Sequence, residues 1–353
     1  MAAVSSRRMD ESTLQSLLLK GVHHKASDIL LKVGQPPAFR VQGDLHYLQG
    51  DKLKPAQTQA LATVILERSR FSGDINDIQE FDTSYSLPGH GRYRANIYRQ
   101  RGTLAVALRT IPLDVPSFEE LGLPPVVESL AEHERGMVLC VGSAGNGKST
   151  TLAAVIKKIN ESRRCHIVTI EDPIEYIHKD RLSSVSQREI GLDTPNFATA
   201  LRAALRQDPD VILVGEIRDE ETMDIALKAA ETGHLVLSTL HTPDVQRTMG
   251  RVLSLAGSDS REVRERFSDN LKGIIAQRLL PRCDDSGRAL AVEALVVTGT
   301  ARETIRNPEG SMPLKDVMER GVHPYGMQTF EMSLRDLVKR GRVSKEVARS
   351  ALN

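Results

Sequence analysis

Apolar positions recur along this chain with two different periods, and the change of period divides it. Leu14, Leu17, Leu18 and Val22 share one helical face, and Leu61, Val64 and Ile65 do so again over residues 55–68. Elsewhere in the first third the period is two. It predicts strands at Asp28–Lys32, Ala38–Val41, Leu45–Leu48, Asp82–Leu87, Arg92–Tyr98 and Thr103–Ile111, with turns at Gly43-Asp44 and Pro88-Gly89-His90-Gly91. Alternation puts Arg92, Arg94 and Asn96 on one sheet face and Tyr93, Ala95 and Ile97 on the other. Residues 1–111 therefore read as an α+β domain. Pro112, Pro116, Pro124 and Pro125 then interrupt regular structure, and a linker is expected at 112–118.

From 119 to 353 the pattern is α/β. Met137–Val141, His166–Ile170, Val211–Val214 and Leu235–Leu240 are short, largely apolar runs of the buried-strand kind, separated by stretches of helical period. That alternation predicts a doubly wound parallel sheet. Helices are expected at 119–134, 244–256 and 261–280, the last on the stripe Val263, Phe267, Leu271, Ile274 and Ile275. A strand follows at Ala289–Val297.

Candidate chemistry clusters where these strands end. Gly142-Ser143-Ala144-Gly145-Asn146-Gly147-Lys148-Ser149-Thr150 fits Gly-x-x-x-x-Gly-Lys-Ser between a strand and a helix, the arrangement that wraps backbone N–H groups around phosphates. In that role Lys148 reaches the β- and γ-phosphates and Ser149 holds Mg²⁺. The carboxylates Glu171, Asp172 and Glu175 follow the second strand, and Gly215-Glu216 follows the third. The acid that usually ends such a strand is replaced by Gly215, which moves the acidity to Glu216; Asp210 lies at the wrong end. His234 and His241 bracket the fourth strand, seven residues apart, and are not expected to share a metal.

Composition narrows the field. A net charge of +1, 4% aromatic residues and no tryptophan speak against a nucleic-acid partner. The 3 cysteines form no C-x-x-C pair, which fits a reducing cytosol, and no window is apolar enough to span a membrane.

With these blocks in place, the sequence resembles the secretion-ATPase superfamily, the hexameric motors of type II secretion and type IV pili. The likeness runs from Ala26-Ser27-Asp28 to Gly326-Met327-Gln328-Thr329. It rests on the Walker A loop 142–150, the "Asp box" Thr169–Glu175, the Walker B segment Leu213–Asp219 and the "His box" Thr232–His241. Within the superfamily it is most similar to the branch that retracts type IV pili in twitching motility. Assembly and secretion members typically add an N-terminal domain and a tetracysteine motif, for which this chain has neither the length nor the cysteines. Two segments depart from the pattern. Ser143, Ala144 and Asn146 stand where Pro, Thr and Ser are common. Thr300–Asn307 reads Thr-Ala-Arg-Glu-Thr-Ile-Arg-Asn where the retraction branch has Ala-Ile-Arg-Asn-Leu-Ile-Arg-Glu, which leaves an accessory paralogue as the alternative.

The resemblance implies a RecA-like P-loop motor domain behind a PAS-like N-terminal domain, assembled as a homohexamer that uses ATP and Mg²⁺. Glu175 is then the base that orients water, Glu216 the acid on the Mg²⁺ side, and His234 and His241 inter-subunit sensors. Arg94 and Arg109 are fingers supplied by a neighbouring subunit. It further implies a cytoplasmic location, docked at the inner-membrane pilus machine on a platform protein, with a paralogous pilus ATPase as a possible companion.

Overall fold

The computed structural model describes residues 2–112, 114–256, 261–284 and 286–352, with side chains from Glu11 onward. Leu113, inside the expected linker, lies outside the described residues. The chain divides into two compact units, Met1–Asp114 with Glu175–Ile177, and Val115–Ile174 with His178–Asn353.

The first unit contains α1 (Ala2–His23), β1 (Asp28–Leu31), β2 (Ala38–Val41), β3 (Asp44–Tyr47), α2 (Pro55–Leu66), β4 (Glu80–Leu87), β5 (Gly91–Gln100) and β6 (Thr103–Ile111). Its strands form one antiparallel sheet in the order β3-β2-β1-β6-β5-β4. Helix α1 starts well before its apolar stripe, so residues 2–10, which show no such stripe in sequence, are helical too. Leu14 and Leu18 of α1 and Leu61 and Ile65 of α2 pack in one core with Tyr93, Ile97 and Leu108. The Tyr93 hydroxyl donates to Leu18 O at 3.2 Å, and burial pushes the phenol up to about 12. The alternation expected in β5 is present: Tyr93, Ala95 and Ile97 are buried while Arg94 is exposed.

The second unit begins with α3 (Phe118–Leu121) and α4 (Pro125–Ala131), where one helix over 119–134 was expected. Gly122, left-handed at φ +67°, closes α3, and Pro124 and Pro125 open α4 with φ already fixed. Next come β7 (Gly136–Val141), α5 (Lys148–Ser162), β8 (His166–Glu171), β9 (Ser184–Glu189), α6 (Phe197–Ala204), β10 (Val211–Val214), α7 (Glu220–Glu231) and β11 (Leu235–Leu240). The chain continues through α8 (Val245–Leu255), α9 (Arg261–Asn270), β12 (Leu271–Pro281) and β13 (Arg288–Val296). It ends with α10 (Gly299–Arg306), α11 (Leu314–Arg320), α12 (Phe330–Lys339) and α13 (Lys345–Leu352). The sheet order is β13-β12-β7-β11-β10-β8-β9, with every neighbouring pair parallel except β12 and β13. Separate apolar cores cover its two faces, one built on α4 and α5, the other on α6 to α9 and the C-terminal helices.

The expected helix over 261–280 is corrected here. α9 stops at Asn270, and from Leu271 the chain enters the sheet beside β7. Leu271 and Ile274 face one core and Ile275 the other. Burial on both faces removes the polar-apolar alternation, and the apolar run that remains matches helical spacing equally well. β9 escaped notice for the opposite reason: Ser-Val-Ser-Gln-Arg-Glu is an edge strand with little apolar signal. At Gly273 the register with β7 shifts, and an added Cβ would sit 2.6 Å from Leu130 Cδ2 and 2.8 Å from Leu295 O. Gly273→Ala should therefore lower stability by about 1–3 kcal/mol through overpacking, read as a lower urea midpoint at constant slope. A midpoint equal to wild type would show that Leu130 yields freely.

Candidate active site

The parallel strands of the second unit end at a common sheet edge, with Val141 opposite Leu240, Ser238 opposite Val214, and Val214 opposite Ile170. The P-loop leaves β7 at that edge. Gly142, Gly145 and Gly147 all have positive φ, at +147°, +77° and +81°. At Gly142 the requirement for glycine is steric as well, because an added Cβ would lie 2.6 Å from Gln277 O of β12. Ser143, Ala144 and Gly145 form the exposed crest, while Ser149 and Thr150 lie half-buried in the first turn of α5. Lys148 is buried, its ammonium donating to Gly142 O at 2.8 Å and Ser143 O at 3.1 Å. The donor set fits a polyphosphate: a helix N-terminus, glycines where a side chain would obstruct the backbone, and one buried cation.

β12 and β13 form one wall of this loop. Leu279 N donates to Asn146 Oδ1 at 3.0 Å, and Arg288 donates to Gly145 O at 3.1 Å. Beneath the loop, fully buried Gln277 donates to Thr151 Oγ1 at 2.7 Å and accepts from Cys140 Sγ at 3.3 Å. Burial pushes the Cys140 thiol up to about 12, so it is wall material and not a nucleophile.

Glu216 lies just past β10 at the same edge. With β11 between β10 and β7, it stands about 10 Å across the sheet from the P-loop strand. Its carboxylate is paired on one oxygen with Arg218 and lies 3.3 Å from His241 Nε2 on the other. Gly215 explains why the acid sits one residue late: its N–H donates to Ile170 O at 2.8 Å, and an added Cβ would meet that oxygen at 3.2 Å. Thr239 Oγ1 donates to Gly215 O at 2.6 Å and pins the same turn. Asp210, at the other end of β10, accepts from His166 N. A hard oxygen set of Ser149 hydroxyl and Glu216 carboxylate at one sheet edge suits Mg²⁺ in chemistry.

With that geometry established, comparisons with known proteins are decisive. The family model for type II/IV secretion system proteins matches residues 104–351. The chain belongs to that family. It is 40% identical over 337 residues to the "Type IV pilus retractation ATPase PilT" of Pseudomonas aeruginosa, covering 95% of this chain and 97% of that one. It is also 40% identical to the "Type IV pilus ATPase PilU" of the same organism, over 95% of this chain and 87% of that one. A crystal structure of the pilus retraction motor PilT with bound ADP matches with a TM-score of 0.83 at 42% identity, covering 96% of each chain.

The remaining expected residues fall in different places on this secretion-family scaffold. Glu175 is exposed in the loop beyond β8 and groups with Tyr176 and Ile177 in the first unit, so the P-loop unit does not by itself contain it. Glu171, ahead of it, is occupied by hydrogen bonds from Thr169 Oγ1 at 2.7 Å and Gln187 Nε2 at 3.1 Å. His234 is not beside the P-loop, so of the two expected sensors only His241 lies at the phosphate end of β11. His234 precedes β11, with Nδ1 2.9 Å from Ala229 O, and six strand residues separate it from His241, about 20 Å. Arg94 and Arg109 are brought together: they sit directly opposite each other on β5 and β6, both exposed. Arg109 pairs with Asp28 at 2.9 Å and Arg94 with Asp82 at 3.9 Å. Sequence reasoning missed Gln277, Arg288, Arg218 and Thr239. A polar residue inside the apolar run 271–280 was the available signal for Gln277.

Gly142→Ala should weaken nucleotide binding at least about tenfold, close to 1.4 kcal/mol, in a titration with a fluorescent ATP analogue. Unchanged affinity would mean that β12 moves aside. The Asp-box loop also carries a pH signature. Burial pushes the partly buried His178 down to about 4, so it stays neutral in the fold while the unfolded chain takes up a proton below about 6.5. Stability is complete above that value and falls as pH drops toward 4, by about 2 kcal/mol at pH 5 relative to pH 7. His178→Gln should flatten this slope in unfolding midpoints measured at the two pH values.

Proposed function

We propose that this protein is an ATP-hydrolysing motor for type IV pilus retraction. The observation that carries the reading is the convergence, at one sheet edge, of the P-loop with its buried Lys148 and of Glu216 held by Arg218 and His241. The identity of 40% across nearly the full length of a pilus retraction ATPase supports the biological setting. A parallel sheet with the P-loop strand in its interior and helices on both faces supports a RecA-like motor domain, and the α+β first unit a PAS-like one.

Bound ATP with Mg²⁺ supplies the phosphoryl group and the metal charge; the chain supplies position. P-loop N–H groups from 142 to 150 and Lys148 hold the phosphates, while Ser149 and Glu216 are the metal-side oxygens. Glu175 orients water, and the contact of His241 with Glu216 fixes the carboxylate and reports on the γ-phosphate side. His234, at the far end of β11, acts across a subunit boundary. Arg94 and Arg109, adjacent on an exposed sheet face, serve as fingers for a neighbouring copy in a homohexamer. Their acids Asp28 and Asp82 are in the same sheet, and both arginines remain exposed, so the two cations stand side by side where an anionic partner could be met. Retraction then consists of passing hydrolysis-driven domain motion to an inner-membrane platform protein from the cytoplasmic side.

One observation favours a second reading, an accessory paralogue: Thr300–Asn307 departs from the pattern of the retraction branch. Deleting the gene separates the two. Loss of twitching with excess surface pili supports retraction, and unchanged behaviour supports the accessory role. For the site, Glu216→Gln should leave ATP binding within a few-fold of wild type and lower turnover about 100-fold or more in a phosphate-release assay. Equal turnover would remove Glu216 from the mechanism.

A further inference from the structure

His241 is held on Glu216 from a short connection between β11 and α8, residues 241–244. More than half of its side chain is exposed (53%), so its position depends on the backbone that carries it more than on packing. That backbone is anchored at successive points. Thr242 Oγ1 bonds Thr248 Oγ1 at 2.7 Å in a buried contact, and Pro243 O accepts from Arg278 of β12 at 3.4 Å. Val245 N, the first residue of α8, donates to Glu293 Oε1 of β13 at 2.9 Å. The other Glu293 oxygen accepts from Phe330 N, the first residue of α12, at 3.4 Å.

Both of these N–H groups lack an intrahelical acceptor by virtue of their position. The local capping side chains do not reach them: Asp244 accepts from Arg247 N at 2.7 Å, and Thr329 from Met332 N at 3.4 Å. Glu293 thus does something that an apolar residue at the same buried place could not, since it accepts from two helix starts at once. It is 8% exposed, and burial holds its pKa above the usual carboxylate range; the Asp244 charge adds to the rise, and the two N–H bonds and Arg278 oppose it without cancelling it. Burying a carboxylate costs several kcal/mol, which a purely space-filling residue would avoid. Arg278 completes the clasp, its guanidinium 4.2 Å from the Phe330 ring and bonded to Ala351 O.

We propose that Glu293 is a positioning residue for the reaction: it fixes the start of α8 and, through Thr242–Asp244, keeps the His241 imidazole on Glu216. This rests on the part given to His241 in the proposed function, and the test separates the two. ATP turnover is measured for the full-length wild type, Glu293→Gln, His241→Ala and the double variant, with thermal midpoints alongside. Glutamine keeps the volume but presents an amide N–H₂ to one of the two helix starts. The expected result is a kcat about tenfold lower for Glu293→Gln with KM for ATP within about twofold, and a double variant no slower than His241→Ala alone. A structural role would multiply the two losses, and that outcome overturns the proposal, as does a Glu293→Gln kcat equal to wild type. If His241→Ala turns over normally while Glu293→Gln is impaired, the reading of His241 fails and positioning through it fails as well. Should Glu293→Gln not fold, Arg278→Met keeps the packing on Phe330, loses the Pro243 contact and enters the same cycle. A loss of about threefold absorbed by His241→Ala supports the proposal, and multiplied losses overturn it.

Discussion

The approach of β12 to the phosphate loop governs how the second unit is built. Gly142 passes so close to Gln277 O that no side chain fits, and Leu279 N reaches across to Asn146. Both contacts depend on a strand that arrives late in the chain and inserts beside β7. A glycine at 142 is therefore demanded by β12 as much as by phosphate. The shape of the loop is set by a neighbour more than 100 residues away, as the 133-residue separation of Asn146 and Leu279 makes plain.

Around that seam the buried polar groups are accounted for in pairs. Gln277 satisfies Thr151 and Cys140, Lys148 turns to its own loop carbonyls, and Glu293 takes two helix starts. An unpaired buried polar group costs about 1–3 kcal/mol, so such a network leaves few alternative packings and makes the loop and the His241 connection rigid together. Rigidity of that kind is what phosphoryl transfer asks of a protein, since the chemistry depends on position and charge more than on covalent participation.

The first unit shows a different economy. Its inner face is closed by Tyr93, Ile97, Leu108 and the α1 and α2 leucines, while the outer face carries a cross-strand line of charges. Arg94 lies opposite Arg109, Arg109 opposite Asp28, and Asp28 opposite Arg40. One acid thus stands between two arginines, and Arg94 finds its acid at Asp82 in a long, exposed contact worth little. The line is organised more by register than by strong ion pairs.

Much of this was legible in the chain because the signals are local. A two-residue period specified β5 and put Arg94 outward, and the Gly-x-x-x-x-Gly-Lys-Ser spacing located the phosphate loop without any tertiary information. The position of Glu216 followed from a run of apolar residues ending at Gly215. What the chain alone could not convey is anything that depends on which strands are neighbours. Residues 271–280 read as helix because a strand buried on both faces carries no alternation. His234 and His241 look equivalent on paper, yet a parallel strand carries them to opposite edges of the sheet. Gln277, Arg288 and Glu293 acquire their roles only through hydrogen bonds to distant segments. Local periodicity determines which residues form an element and which face they show; the order of strands in the sheet, fixed by long-range packing, decides what each face meets.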